Sequence, residues 1–197
     1  MARELNDLMT DFGSEGPSFD SIVATGRNTA IPHHQPDETV LSEGDFFTVD
    51  FGATVDGYRS DMTRTLVIGG PFQKPPKEWQ LEIYDLVHRA QAAGSEALRP
   101  GLAVGELYSI AREVISDGGY GAQFPHGIGH GIGLKTHETP LMLRADSLGT
   151  LCAGMAVTVE PGIYLAGRGG VRIEDTLVVR DNAPELLTLS SKELLVV

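Results

Sequence analysis

Four carboxylates stand inside or at the edge of β-branched runs in this 197-residue chain. Asp50 follows Phe46-Phe47-Thr48-Val49, and Asp61 precedes Met62-Thr63-Arg64-Thr65-Leu66-Val67. Glu160 ends Ala156-Val157-Thr158-Val159, and Glu174 lies within Val171-Arg172-Ile173-Glu174-Asp175-Thr176-Leu177. Such runs read as strands with at least one buried face, where a solvated carboxylate is out of place. A fold that keeps them must bring each acid to a partner, since an unpaired buried charge is costly.

The spacing indicates which partners. Val55-Asp56-Gly57 carries an Asp-Gly turn signal between strands over residues 46–53 and 58–68, which makes a hairpin. A turn centred between Val55 and Asp56 would set Asp50 directly opposite Asp61, with Cβ atoms about 5 Å apart. Two ionised carboxylates that close repel each other unless a cation or proton lies between them. Glu160 and Glu174 repeat the pattern across the loop at residues 166–169. Between the pairs, Phe124-Pro125-His126-Gly127-Ile128-Gly129-His130-Gly131-Ile132-Gly133-Leu134-Lys135-Thr136-His137-Glu138 holds three of the six histidines. Its glycines allow the backbone to approach a metal or substrate closely.

Asp50, Asp61, His130, Glu160 and Glu174 therefore form a donor set suited to two divalent cations that share ligands. An oxygen-rich set favours Mn²⁺ or Mg²⁺, and one imidazole admits Zn²⁺, Co²⁺ or Fe²⁺. Paired-metal sites are mostly hydrolytic. A zinc finger is excluded by the lone cysteine, and neither His-Glu-x-x-His nor a phosphate-binding Gly-Lys-Ser/Thr loop occurs.

The remaining pattern frames these motifs. Leu5 and Leu8 share one face of a short helix over residues 3–9, and residues 18–24 read as a strand. Trp79, Ile83, Val87 and Ala90 recur at helical spacing from about residue 76 to 98, behind Pro75-Pro76. Leu107, Ile110, Ala111 and Val114 do so from about 104 to 116, ended by Asp117-Gly118-Gly119. Residues 156–159, 162–165, 171–179 and 186–189 read as strands. The class is α+β, a mostly antiparallel sheet with helices packed on one side. A net charge of −12 opposes sequence-independent nucleic-acid binding. There is neither an apolar run of about 18 residues nor an N-terminal signal core. Cys152, in Leu151-Cys152-Ala153, reads as a buried inert thiol and points to a cytoplasmic location.

The motifs Val49-Asp50-Phe51-Gly52-Ala53, Ser60-Asp61-Met62-Thr63-Arg64-Thr65, His126-Gly127-Ile128-Gly129-His130-Gly131-Ile132-Gly133, Val159-Glu160-Pro161-Gly162 and Val171-Arg172-Ile173-Glu174-Asp175 resemble the dinuclear metallopeptidases of the pita-bread fold. That family includes methionine aminopeptidase, Xaa-Pro aminopeptidase and the Xaa-Pro dipeptidase prolidase. The resemblance runs from about Glu15 to the C-terminus. It favours the proline-directed branch through His126 and through Glu15-Gly16-Pro17-Ser18-Phe19-Asp20 leading on to Pro32-His33. Thr136 departs from it, since the proline-peptidase signature prefers Ile or Val before His137. At the front, only the end of the family's long first helix remains. The expectation is one catalytic domain over residues 1–197, with that helix shortened and no separate N-terminal domain.

The resemblance implies roles for each residue. Asp61 and Glu174 would bridge two ions, most readily manganese, with cobalt, zinc or iron as alternatives. Asp50 would chelate one ion, and His130 with Glu160 would complete the other. A hydroxide shared by the ions would attack, with Glu160 accepting its proton and passing it to the leaving proline nitrogen. His126 and His137 would donate hydrogen bonds to the oxyanion or substrate backbone, and His33 would line the subsite after the cleaved bond. Arg172 would bind a substrate carbonyl or carboxylate, or serve as the ion-pair partner of Glu174. The activity so implied is that of an Xaa-Pro aminopeptidase, possessing a peptide substrate with proline second and forming a homodimer, with no membrane or nucleic-acid partner. The alternatives are prolidase, a non-catalytic pita-bread binding module and metal-free C–N hydrolysis of the creatinase type, the last two opposed by the intact ligands. His34 and His88 read as solvated, Trp79 and Tyr84 as core, Asp175 as structural, and Arg64 as a hairpin support paired with a carboxylate.

Overall fold

The computed structural model of the protein describes residues 1–70, 75–140 and 143–197. The Asp-Gly signal forms its turn: Asp56 and Gly57 have φ of 49° and 77°, the left-handed pair of a two-residue hairpin loop. The turn is centred one residue later than expected, and the register follows it. Strand β3 (Phe46–Phe51) pairs with β6 (Met62–Val67), so Asp50 lies opposite Thr63, not Asp61. Because the slip is two residues, Asp61 keeps the face of Asp50 as its diagonal neighbour. The expected pair of long strands is interrupted. β4 (Ala53–Val55) and β5 (Tyr58–Arg59) turn away to join β1 (Gly16–Pro17) in a separate sheet. Gly52 marks the switch: a Cβ there would lie 1.8 Å from the Ser60 carbonyl oxygen, so no other residue fits.

The expected strand at 18–24 is a bend followed by β2 (Ile22–Thr25), which completes the sheet β2-β3-β6. The second carboxylate region also divides. β8 (Gly162–Leu165) pairs with β9 (Gly169–Arg172), while β7 (Ala156–Val159) pairs with β10 (Asp175–Val178). The continuous strand expected over 171–179 is thus broken at Ile173-Glu174. The register is the same on both sides of the break, which sets Glu160 opposite Glu174. Strand β11 (Glu185–Leu186) closes the edge of β10 and is shorter than expected.

The glycine-rich segment is an extended run along β7. The Ile132, Thr158 and Glu160 amides donate to Ala156, His130 and Ile128 carbonyls at 3.1, 2.8 and 2.7 Å. Gly129 permits this approach, for a Cβ there would fall 2.0 Å from the Thr158 carbonyl oxygen. His130 therefore lies opposite Thr158, beside Glu160 on the same face.

Helices α2 (Glu78–Ala97) and α3 (Val104–Asp117) pack on one another, and α2 crosses β7, β8 and β9. The Lys77 amide donates to Gln80 Oε1 at 2.8 Å to start α2. Ile83, Val87, Ala90, Leu107, Ala111 and Ile115 are fully buried against Val157, Val159, Ile163 and Val171. Each large aliphatic side chain so buried contributes about 1.5–3 kcal/mol. Trp79 and Tyr84 join this core as expected. The Trp79 ring lies edge-on to Phe46 at 5.4 Å, with the Arg168 guanidinium 4.4 Å over its centroid. The first helix, α1 (Ala2–Asp11), buries no residue completely.

Two minor expectations are corrected. Cys152 is exposed, because Leu151 takes the inward position before the turn into β7. His34 is largely covered, with Nε2 3.7 Å from Asp37 and 3.5 Å from Asn28. Residues 190–197 run back across the sheet, with the Val67 amide donating to Leu195 and the Val197 amide to Val67. Among the described residues, no helix is long and apolar enough to cross a membrane.

Candidate active site

The two half-sheets, β2-β3-β6 and the β7–β10 group, meet along a seam with little backbone pairing. Thr63 and Glu174 form its isolated bridge, the Glu174 amide donating to the Thr63 carbonyl at 3.1 Å. Hydroxyls supply the rest. Thr63 Oγ1 donates to Glu174 Oε2 at 2.6 Å, Thr65 Oγ1 to the Arg172 carbonyl at 3.0 Å, and Thr176 Oγ1 to the Asp61 carbonyl at 2.9 Å. Threonine suits this place: it is β-branched for the strand yet carries a donor-acceptor group for the neighbouring one.

At the seam, ligand atoms of Asp61, His130 and Glu174 all lie within 4.8 Å of one another, and all three side chains are buried. His130 Nε2 is 3.5 Å from Asp61 Oδ2 and 3.6 Å from Glu160 Oε1. Asp50 lines the same cavity but leans to Arg172, whose Nη2 donates to Asp50 Oδ2 at 2.6 Å. The structure thus brings together all five residues of the expected metal set around one cavity of about 260 Å³.

The electrostatics show an excess of negative charge. Burial, then the charges of Asp50 and Glu160, pushes the Asp61 carboxyl up to about 9. Burial and the neighbouring acids raise Glu174 and Glu160 as well. The Oδ1 atoms of Asp50 and Asp61 are buried without a hydrogen-bond partner. Orphaned buried acceptors in a cluster of crowded carboxylates are what a cation would satisfy. The donor set fits divalent metal.

The other expected residues surround this floor. The His137 ring lies 4.1 Å from that of His130, and burial followed by the nearby His130 and His33 lowers its pKa. The segment bearing His137 is anchored from both sides: Thr136 Oγ1 donates to the Ser18 carbonyl at 2.9 Å and the Arg59 amide to the Gly133 carbonyl at 2.8 Å. His33 lines the cavity from an exposed position. Phe19, Ile22 and Pro32 give it an apolar wall.

His126 and Arg172 differ from expectation. His126 Nδ1 lies 2.8 Å from the Gly127 carbonyl, which only accepts, so Nδ1 carries the proton. Nε2 then accepts from the Tyr164 hydroxyl at 2.8 Å, and that hydroxyl accepts from Arg172 Nη1 at 2.8 Å. Both nitrogens of His126 are engaged. Burial and then Arg172 hold its pKa down at about 4, and burial pushes Tyr164 up to about 12. Arg172 makes its ion pair with Asp50 and not with Glu174. Its other bonds go to Tyr164, the Thr63 hydroxyl at 3.1 Å and the Pro32 carbonyl at 3.2 Å.

Sequence reasoning passed over Thr63, Tyr164 and the placement of Phe19. Tyr164 had a signal, because a tyrosine in a buried strand needs a partner for its hydroxyl. Arg64 and Asp175 pair with each other at 2.7 Å, in the supporting roles expected of them.

The model of metallopeptidase family M24 matches residues 1–181. An Xaa-Pro dipeptidase of Pyrococcus furiosus is 44% identical over 195 residues, which cover 99% of this chain and 54% of the relative. A solved Xaa-Pro dipeptidase from Bacillus anthracis superposes with TM-score 0.94 at 45% identity, covering 100% of this chain and 54% of the other. An X-Pro aminopeptidase from Thermotoga maritima does so with TM-score 0.94 at 38% identity, again over 100% and 54%. The chain spans about half the length of these relatives. Its fold is the pita-bread fold. By the match along most of its length, the chain belongs to metallopeptidase family M24.

Proposed function

We propose that this chain carries the catalytic centre of an Xaa-Pro aminopeptidase, hydrolysing the bond between an N-terminal residue and a following proline. The observation that carries this reading is the convergence of Asp61, His130 and Glu174 within 4.8 Å at the floor of a cavity with an apolar wall. Asp61 and Glu174 would bridge two divalent ions, Asp50 would hold one, and His130 with Glu160 the other. The oxygen-rich set favours manganese. Bound there, the ions supply Lewis acidity that acidifies water and polarises the scissile carbonyl.

The chain's own residues do the rest. Glu160 accepts the proton of the attacking water and returns it to the proline nitrogen. His137 donates to the carbonyl oxygen as negative charge develops there. His33 and the wall of Phe19, Ile22 and Pro32 exclude water around the substrate. His126, with no N–H to spare, orients Tyr164 and through it Arg172. A cavity of about 260 Å³ suits a short terminal segment, being smaller than the ~300–1,000 Å³ of common ligand sites. The exposed thiol of Cys152 fits a reducing compartment, which supports a cytoplasmic location.

A second reading, Xaa-Pro dipeptidase, is favoured by the names of the similar Pyrococcus and Bacillus proteins. An Xaa-Pro dipeptide and an Xaa-Pro-Xaa tripeptide, each assayed with Mn²⁺, separate the two. Tripeptide cleavage supports the aminopeptidase, and proline release from the dipeptide alone supports the dipeptidase. A folded sample that binds metal and cleaves neither is a binding module.

A further inference from the structure

Strand alternation sends Asp61, Thr63 and Thr65 toward the site and Arg64 away from it, into the protein behind the seam. Burying a guanidinium is costly unless its N–H groups are all taken. Here the five are. Nε donates to the Ser191 carbonyl at 2.9 Å, and Nη2 donates to Asp175 Oδ1 at 2.7 Å and the Ser190 carbonyl at 2.8 Å. Nη1 donates to the Thr63 carbonyl at 2.8 Å and the Glu174 carbonyl at 2.6 Å. Those last two acceptors are one from each half-sheet, at the isolated bridge of the seam. The second oxygen of Asp175 accepts from Gln91 Nε2 at 3.0 Å and from Lys192 Nζ. Arg64, Asp175, Gln91 and Lys192 do not line the cavity, so none meets a substrate.

The Glu174 carboxylate depends on this arrangement. Among the described residues its hydrogen-bond donor is the Thr63 hydroxyl, and its backbone meets β6 at the Thr63 bridge and through the Arg64 guanidinium. A shift of either strand along the seam would move Glu174 relative to Asp61, and the two share the ligand cluster with His130. One nitrogen of Arg64 ties both carbonyls of that bridge. We infer that Arg64 is a positioning residue for the metal centre: it sets the spacing between Asp61 and Glu174 from behind, aimed by Asp175, and makes the Ser190-Ser191-Lys192 segment a support of the site. The inference rests on the reading of Asp61 and Glu174 as metal ligands. It requires the planar fork of arginine and not its charge alone, because a lysine cannot bond two half-sheets and the 190–192 segment together.

The test is calorimetric titration of Mn²⁺ into chelator-treated protein, with folding checked by circular dichroism. Arg64→Lys is expected to fold and to bind Mn²⁺ about 10–100-fold more weakly, the range for residues that orient ligands without touching the metal. Its hydrolysis of an Xaa-Pro peptide should recover as Mn²⁺ is raised. Lys192→Met, which removes one of the donors to Asp175 from a partly exposed position, should weaken binding about fivefold. A folded Arg64→Lys with wild-type affinity overturns the inference, as charge alone would then suffice. Should Arg64→Lys not fold, wild-type affinity in Lys192→Met overturns it instead. Wild-type protein that binds no Mn²⁺ would remove the metal reading itself, an outcome distinct from unchanged variants.

Discussion

Asp50 lies within the β3–β6 ladder and Asp61 just past its end at the Gly52 switch, in a hairpin closed by a two-residue turn, whereas Glu160 and Glu174 stand opposite each other in the gap between two ladders that share a register. The first hairpin places its acids by local means. Any register differing by two residues keeps them on one face, and the Asp56-Gly57 turn selects among these. The second places its acids by release. At the break Glu174 trades its β7 partner for Thr63, and Glu160 takes its backbone bond to Ile128 of the histidine segment. A continuous ladder in both hairpins would leave no strand edge free to meet the other half. The gap lets one sheet pass into the next at the place where four carboxylates converge.

Four substitutions sharpen that contrast, in falling order of effect. Glu160 belongs to the gap and is reachable from the cavity, so Glu160→Gln should cut kcat by about 10²–10⁴-fold, the contribution of a general acid–base group. Wild-type turnover in a steady-state assay would deny it that role. Thr63→Val removes the hydroxyl that donates to Glu174 and accepts from Arg172. Metal affinity should fall about 10–100-fold in a titration, with little change in strand propensity. If affinity holds, the bridge backbone alone positions Glu174.

The third prediction concerns the line of bonds from His126 through Tyr164 and Arg172 to Asp50, which joins the two hairpins. His126 has a pKa of about 4 in the folded protein, against about 6.5 unfolded. Above the unfolded value it is neutral in both states and stability is whole. As pH falls from there toward 4, the unfolded chain takes up a proton that the native one refuses, and stability is lost. By pH 5 the loss is about 2 kcal/mol. Urea unfolding at pH 7 and pH 5 should show wild type losing that much more than His126→Phe, and equal losses would contradict the buried neutral ring. Smallest is Thr136→Val, which removes one bond to the Ser18 carbonyl, a group that also accepts from Arg59. About 1 kcal/mol, or a fewfold change in kcat/KM, is expected. Thr136→Ser should restore it.

Legibility followed the same contrast. The Asp-Gly turn, both long helices and the carboxylate pairs could be read because local chemistry dictates them. The register was misjudged by two because both Asp56 and Gly57 occupy the loop, which moves its centre past Val55. The break at Ile173-Glu174 lies in a run from Val171 to Val179 that carries no glycine or proline to mark it, and only long-range pairing reveals it. Arg172 illustrates the same limit. Its two-residue spacing from Glu174 suggested a pair along one strand, while Asp50, 122 residues away in sequence, takes the guanidinium. Cys152 misled because an apolar neighbourhood in sequence does not say which way a turn faces.

Trp79, the chain's single tryptophan, turns this architecture into something that can be watched. Its ring touches Phe46 of the first half-sheet and Arg168 in the turn between β8 and β9 of the second. Its fluorescence therefore reports whether the two halves stay docked, with no label and at a distance from the metal ligands. An altered centre in an intact fold would leave that emission in place, while separation of the halves would shift it toward that of an indole in water.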